Sequence, residues 1–150
     1  MSPPKLIWHL DHSGGDPDLI QIVLAGVATI RSFLESNEFI DTLVATPAPE
    51  LPHLVLLDVD LPPLDGAAVE GLLRREARFH DLRVCLLSDM SSGSAQPLLE
   101  LFGAACVVIK PRTFDDSLAL QDRVRAVLDG PLAPAGRLLR TRSAGTSGSP

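Results

Sequence analysis

HLVLLDVDLPPLDG, residues 53–66, is the stretch that decides the fold of this chain. Its apolar run Leu54–Leu57 leads directly into Asp58, and a Pro-Pro pair and an Asp-Gly pair follow. An apolar run bounded by turn residues is typical of a strand buried on both faces, as in a parallel sheet. Asp58 then lies at the sheet edge where α/β proteins bind ligands. The plainer interpretation is that Asp58 only opens a turn, where Asp is common.

Length, charge and cysteine content limit the class of protein. The 150 residues, 45% hydrophobic and 21% charged, predict one globular domain. A net charge of −6 argues against sequence-independent nucleic-acid binding, which needs a basic surface. Cys85 and Cys106 lie in apolar runs and are expected to be buried thiols of a reduced protein. Because neither a membrane span nor a secretory signal is recognisable, we expect a soluble, cytoplasmic chain.

Short apolar runs alternate with helical patterns along the rest of the sequence. Further strands are predicted at Leu6–Leu10, Thr29–Leu34, Arg83–Leu87 and Cys106–Ile109. Helices are predicted from Pro17 to near Gly26, over Glu38–Ala45 with Phe39, Leu43 and Val44 facing inward, from Asp65 to about Arg78, from Pro97 to Gly103, and over Phe114–Leu128. Asn37 and Asp65 are predicted helix caps. An alternative extends the first helix through Leu34. The alternation predicts βαβ units in a doubly wound parallel sheet.

Polar side chains stand at the ends of four of the predicted strands: Asp11, Asp58, Ser88 and Lys110. Turn chemistry explains any one of them alone, but four at one edge, of types that suit one reaction, indicate a site. A carboxylate is a nucleophile toward a phosphoryl group. One or two carboxylates are usual Mg²⁺ ligands, and a lysine neutralises the charge on phosphoryl oxygens.

The order of these motifs resembles the receiver domains of two-component response regulators, the CheY-like family. The resemblance covers residues 5–128 and depends on Asp11, Leu-Leu-Asp58 with Pro62 and Asp65-Gly66 behind it, Ser88, and Lys110-Pro111. Residues 110–115 also resemble the end of single-domain regulators that pair with phytochrome-type sensor kinases.

The resemblance implies a (βα)5 fold with strand order 2-1-3-4-5. It implies Asp58 as the phospho-acceptor, Ser88 as the switch hydroxyl and Lys110 as the phosphate-binding ammonium. Mg²⁺ would be held by Asp11, Asp58 and the backbone carbonyl of Asp60. The implied partners are a sensor histidine kinase or phosphotransfer protein and a second copy of the chain, with neither nucleic acid nor membrane. Residues 1–129 form the implied domain, and 130–150, rich in Gly, Ser and Pro, a flexible tail.

The chain departs from the family pattern at three places, one of which is Asp89, next to Ser88, where a small residue is usual. Receivers usually carry two adjacent acids after the first strand, whereas this chain has Leu10-Asp11-His12. Either His12 replaces the direct metal ligand or Leu10 replaces the helper acid. The usual aromatic switch residue, three before the lysine, is Val107 here. His9, in the first strand, is expected to be a structural histidine with satisfied nitrogens rather than a ligand, since metal sites need a cluster.

Three classes of function follow from these patterns. The first is a single-domain response regulator phosphorylated at Asp58, a phospho-acceptor rather than an enzyme. The second is a pseudo-receiver, which keeps the fold as an interaction module without phosphorylation; the missing acid and the missing aromatic favour it. The third is a small enzyme or flavin protein on a flavodoxin-like sheet. The sequence lacks the phosphate-binding glycine loop that this third class needs.

Overall fold

A five-stranded parallel sheet forms the centre of the molecule. The computed structural model describes residues 4–11, 17–58, 63–88 and 106–130. The strands are β1 (Leu6–Leu10), β2 (Thr29–Phe33), β3 (Leu54–Asp58), β4 (Arg83–Ser88) and β5 (Cys106–Ile109). They pair in the order β2-β1-β3-β4-β5, and every pairing is parallel. The predicted fold class and strand order are confirmed, and the alternative of one long helix through Leu34 is wrong.

Four helices cover this sheet in the described part of the chain. They are α1 (Pro17–Leu24), α2 (Ser36–Ala45), α3 (Pro63–Arg75) and α4 (Phe114–Asp129), and single 3-10 turns occupy Ala48–Glu50 and Ala77–Phe79. At the start of α4, the Thr113 side chain accepts from the Asp116 backbone N–H while the Asp116 carboxylate accepts from that of Thr113. This reciprocal cap satisfies backbone donors that a helix start leaves unpaired.

The consecutive apolar residues of β3 divide between two hydrophobic cores. Val55 and Leu57 join one cluster with residues of α2 and α3 and with Trp8, which packs against Phe33 at 5.2 Å between ring centroids. Leu54 and Leu56 join the other cluster, with residues of α1 and α4. Successive strand side chains point to opposite faces, so a sheet covered on both sides needs a continuous apolar run.

Three local predictions are wrong. Val44 is 48% exposed rather than inward-facing. Helix α2 begins at Ser36, one residue before the predicted cap Asn37. Helix α3 begins at Pro63, so Asp65 lies in its first turn and is not its cap.

Helix α3 also ends at Arg75, short of the predicted Arg78. The Arg78 guanidinium donates to the Val44 and Thr46 carbonyl oxygens at 2.7 and 2.6 Å. It also lies over the Phe79 ring, 4.3 Å from the centroid. These contacts tie the segment after α3 to the carboxyl end of α2.

Other predictions fall on residues that the structure does not describe. The helix predicted from Pro97 to Gly103 lies outside the described residues, and so do Asp60 and residues 131–150. The division into a domain over 1–129 and a tail over 130–150 stays a prediction. None of the helices between residues 4 and 130 that the structure describes is long and apolar enough to cross a membrane.

Candidate functional site

Four predicted site residues lie at the carboxyl edge of the sheet. Asp58 and Ser88 are the last residues of β3 and β4. Asp11 and Lys110 directly follow β1 and β5. The strands are neighbours and parallel, so their carboxyl ends share one edge, which is where open α/β sheets bind ligands.

Asp58 and Lys110 are in direct contact. The Lys110 Nζ atom lies 3.2 Å from Asp58 Oδ2, and the Asp58 side chain is only 2% exposed. The two residues belong to strands two positions apart, a span of roughly 9.5 Å that needs a long side chain. The Lys110 backbone N–H donates to the Ser88 carbonyl oxygen at 2.7 Å, which fixes the start of that side chain beside β4. The ammonium thus reaches across the end of β4 to the carboxylate.

Asp11 joins this edge from the other side of β3. The β1–β3 register ends at Leu10 and Leu57, so Asp11 lies one residue beyond that pair, level with Asp58. Its backbone N–H donates to the Phe33 carbonyl oxygen at 2.9 Å, which extends the pairing with β2. Asp11 is 1% exposed. The edge therefore carries two buried carboxylates on neighbouring strands.

His9 lies next to this group, and within the described part of the chain its ring nitrogens are not hydrogen-bonded as the sequence predicts. It is fully buried, and neither of its ring nitrogens has a hydrogen-bond partner among the described residues. Its Nε2 atom lies 4.0 Å from Asp11 Oδ2. The prediction of a histidine with satisfied nitrogens is therefore wrong.

The charge state of His9 follows from this burial. Burial lowers the His9 pKa to about 4; the nearby Asp58 carboxylate opposes this shift, and the Lys110 ammonium adds to it. The imidazole is therefore neutral at pH 7. The sequence alone indicates that His9 lies on the same side of the sheet as Asp11, because residues 9 and 11 of one strand point to the same face.

The described donors fit a divalent cation in number and type. Mg²⁺ in proteins commonly uses one or two carboxylates, water and phosphate oxygens. Asp11 and Asp58 supply two carboxylates at this edge. Within residues 4–11, 17–58, 63–88 and 106–130, no group of three or more His, Cys, Asp and Glu side chains is arranged to hold a metal. Asp60 and His12 lie outside these residues.

Leu10 and Val107, two of the residues considered as departures from the receiver pattern, carry packed apolar side chains. Leu10 is fully buried in the cluster that faces α2 and α3. Val107 is half-buried and packs against the same cluster. These side chains contribute to the core beside the site and add no charge or hydroxyl to it.

No protein-family model matches this chain, and no curated protein matches it. Among solved structures, a response regulator receiver protein from Burkholderia phymatum is 23% identical, over 85% of this chain and 98% of that chain, with a TM-score of 0.68.

Two further solved structures of response regulators are similar as well. The phosphorylated cyanobacterial phytochrome response regulator RcpA is 20% identical, over 87% of this chain and 99% of that one, with a TM-score of 0.70. The Mn²⁺-bound response regulator Rcp1 has the same identity and coverage and a TM-score of 0.65. This chain therefore has the fold of response regulator receiver domains.

Proposed function

We propose that this chain is a response regulator receiver domain that accepts a phosphoryl group on Asp58. The observation that carries the proposal is the 3.2 Å contact between Lys110 Nζ and Asp58 Oδ2 at the carboxyl edge of the sheet. An almost fully buried carboxylate with a fixed ammonium is suited to phosphoryl transfer, in which positioning and charge neutralisation do most of the catalysis.

In the proposed reaction, one Asp58 carboxylate oxygen forms a bond to phosphorus as the phosphorus–nitrogen bond of a donor phosphohistidine breaks. The electron pair of that bond leaves with the imidazole, which takes a proton from solvent. Lys110 lies where the phosphoryl oxygens collect and neutralises part of their charge. Ser88, at the end of the intervening strand, is the proposed hydroxyl partner of the phosphoryl group.

Asp11 and Asp58 are the proposed metal-holding side chains, with the backbone carbonyl of Asp60 as a further ligand. A bound Mg²⁺ supplies positive charge that neutralises the transferring oxygens and orients the donor. The proposed partners are a sensor histidine kinase or a phosphotransfer protein. The product is a modified chain rather than a released compound, so the role is that of a signal acceptor and not of an enzyme with turnover.

The direct test is incubation with Mg²⁺ and a small phosphodonor such as acetyl phosphate, followed by intact-mass measurement. We expect the mass gain of one phosphoryl group in the wild type and in Asp81→Asn, and none in Asp58→Asn. Asp81 is exposed and precedes β4, at the opposite edge of the sheet. No gain in the wild type, or a gain that persists in Asp58→Asn, contradicts the proposal.

A second candidate is an interaction module that works without phosphorylation. It is favoured by the single acid of Leu10-Asp11-His12, where receivers usually have two, and by Val107, which packs against the apolar core in place of the usual aromatic switch residue. Under this candidate, partner binding is the same for the wild type and Asp58→Asn, and acetyl phosphate changes neither. A partner affinity that responds to acetyl phosphate only in the wild type excludes it.

A further inference from the structure

The unpartnered imidazole of His9 is the feature of the site that phosphoryl transfer to Asp58 does not use. A neutral imidazole has one donor and one acceptor nitrogen, and buried polar atoms in proteins are nearly always hydrogen-bonded. Both nitrogens of His9 are buried and lack such a partner among the described residues. An apolar side chain would fill this interior position without leaving polar atoms unpaired.

The position of His9 directs its ring toward the two carboxylates. Residues 9 and 11 lie on the same side of β1. In the register, His9 is level with Leu56, whose side chain belongs to the α1 and α4 core, and Asp58 follows two residues later on the same side of β3. His9 Nε2 is 4.0 Å from Asp11 Oδ2. The imidazole therefore lies directly beneath the pair of acids.

We infer that His9 is a nitrogen ligand of the divalent cation held by Asp11 and Asp58. The inference rests on the proposed function, because the cation is the one used in phosphoryl transfer. Oxygen-only sites suit Mg²⁺, whereas imidazole suits first-row transition metals such as Co²⁺ and Zn²⁺. The site therefore takes Co²⁺ or Zn²⁺ in preference to Mg²⁺.

The 4.0 Å separation agrees with this assignment. Ligand bonds to such ions measure about 2.0–2.2 Å, so two ligands of one ion lie roughly 3 Å apart when adjacent and about 4 Å apart when opposite. An imidazole binds a metal through a ring nitrogen that carries a lone pair, and both ring nitrogens of His9 lack a hydrogen-bond partner among the described residues. Asp58 is held by Lys110 without metal, so the three side chains are not preassembled, and the cation draws them together as it binds.

The test is pulsed EPR of the wild-type chain loaded with Mn²⁺, which detects a directly bound nitrogen through its hyperfine coupling. We expect ¹⁴N coupling in the wild type, in His12→Leu and in His80→Leu, and none in His9→Leu. His12 follows Asp11 in sequence, and His80 is exposed. If His9→Leu does not fold, His9→Gln takes its place in the series.

Metal affinities give an independent readout. We expect His9→Leu to weaken Co²⁺ and Zn²⁺ binding by about tenfold or more while Mg²⁺ affinity changes by less than about threefold. A similar loss for all three cations contradicts a nitrogen ligand.

The outcomes also separate this inference from the proposed function. Bound Mn²⁺ without ¹⁴N coupling, or coupling lost in His12→Leu but kept in His9→Leu, overturns the inference and leaves phosphorylation at Asp58 intact. A wild-type chain that binds no Mn²⁺ overturns it as well. In that case the proposed function is still tested by the Mg²⁺-dependent mass gain on Asp58, which is measured in a separate experiment.

Discussion

Lys110 Nζ lies 3.2 Å from Asp58 Oδ2 although the two residues are 52 positions apart in sequence and are separated in the sheet by β4. The lysine is 24% exposed and the aspartate 2%, so the contact connects a group that reaches solvent with one that does not. A molecule approaching this contact from solvent therefore meets the ammonium before the carboxylate.

Replacing the ammonium tests this arrangement. We expect Lys110→Met to lower the rate of Asp58 phosphorylation by acetyl phosphate by roughly 10²-fold, because a fixed charge on the transferring group is lost. The rate is measured by intact mass against time. Arg125→Met, which removes an exposed cation from α4, is the control and should keep the wild-type rate. Equal rates in the two variants contradict a role for Lys110 in the transfer.

His9 is predicted to lower the stability of the metal-free protein. Its two buried nitrogens lack hydrogen bonds within the described residues, so His9→Leu should raise the free energy of unfolding by about 1 kcal/mol at pH 7 in EDTA. Urea denaturation measures the change, with His80→Leu as the control at an exposed histidine. A loss of stability in His9→Leu shows instead that the imidazole is needed for packing.

The same histidine predicts a pH dependence of stability. Burial lowers the pKa of His9 to about 4 from 6.5, so between these values the unfolded chain binds the proton and the folded chain does not. Stability contributed by this group is therefore complete above about pH 7 and falls as the pH drops toward 4. At pH 5 we expect the wild type to have lost about 2 kcal/mol more than His9→Leu, measured in EDTA. Parallel pH profiles for the two chains contradict this prediction.

Arg78 is predicted to stabilise the fold away from the site. Its guanidinium donates to carbonyl oxygens at the carboxyl end of α2 and lies over the Phe79 ring. We expect Arg78→Ala to cost about 2 kcal/mol of unfolding free energy in urea denaturation, because charged hydrogen bonds to unpaired helix carbonyls are lost. Arg78→Lys should restore less than half of the lost free energy, because the single ammonium of lysine cannot replace the several donors of the planar guanidinium. Arg75→Ala, at an exposed position, should stay within about 0.5 kcal/mol of the wild type.

Patterns local in the chain predicted the sheet and the residues at its edge. The apolar run of β3, placed between turn residues, indicated a strand with both faces covered, because side chains alternate between two cores. Parallel strands all end at the same edge, so Asp11, Asp58, Ser88 and Lys110 could be assigned to one side of the sheet before any distance was known. The order of the strands along the chain and the two-residue period of a strand are sufficient for this assignment.

Helix limits and the role of Arg78 depended on contacts between distant elements. The pattern after Pro63 continues through Arg78, but the helix ends at Arg75, and the Arg78 side chain binds the end of α2. Similarly, Val44 continues the apolar face of α2 in sequence, yet it is 48% exposed. Local propensity does not contain this information.

The sequence by itself determined the order of strands and helices and the types of side chain that reach the carboxyl edge. Only the tertiary structure decided that Lys110 reaches past β4 to Asp58 and that His9 lies buried beneath the acids without a hydrogen-bond partner in the described chain. The physical reason is that burial and electrostatic contact depend on which strands become neighbours. Which strands become neighbours depends on how the two hydrophobic cores pack, and the sequence of one segment does not contain this information.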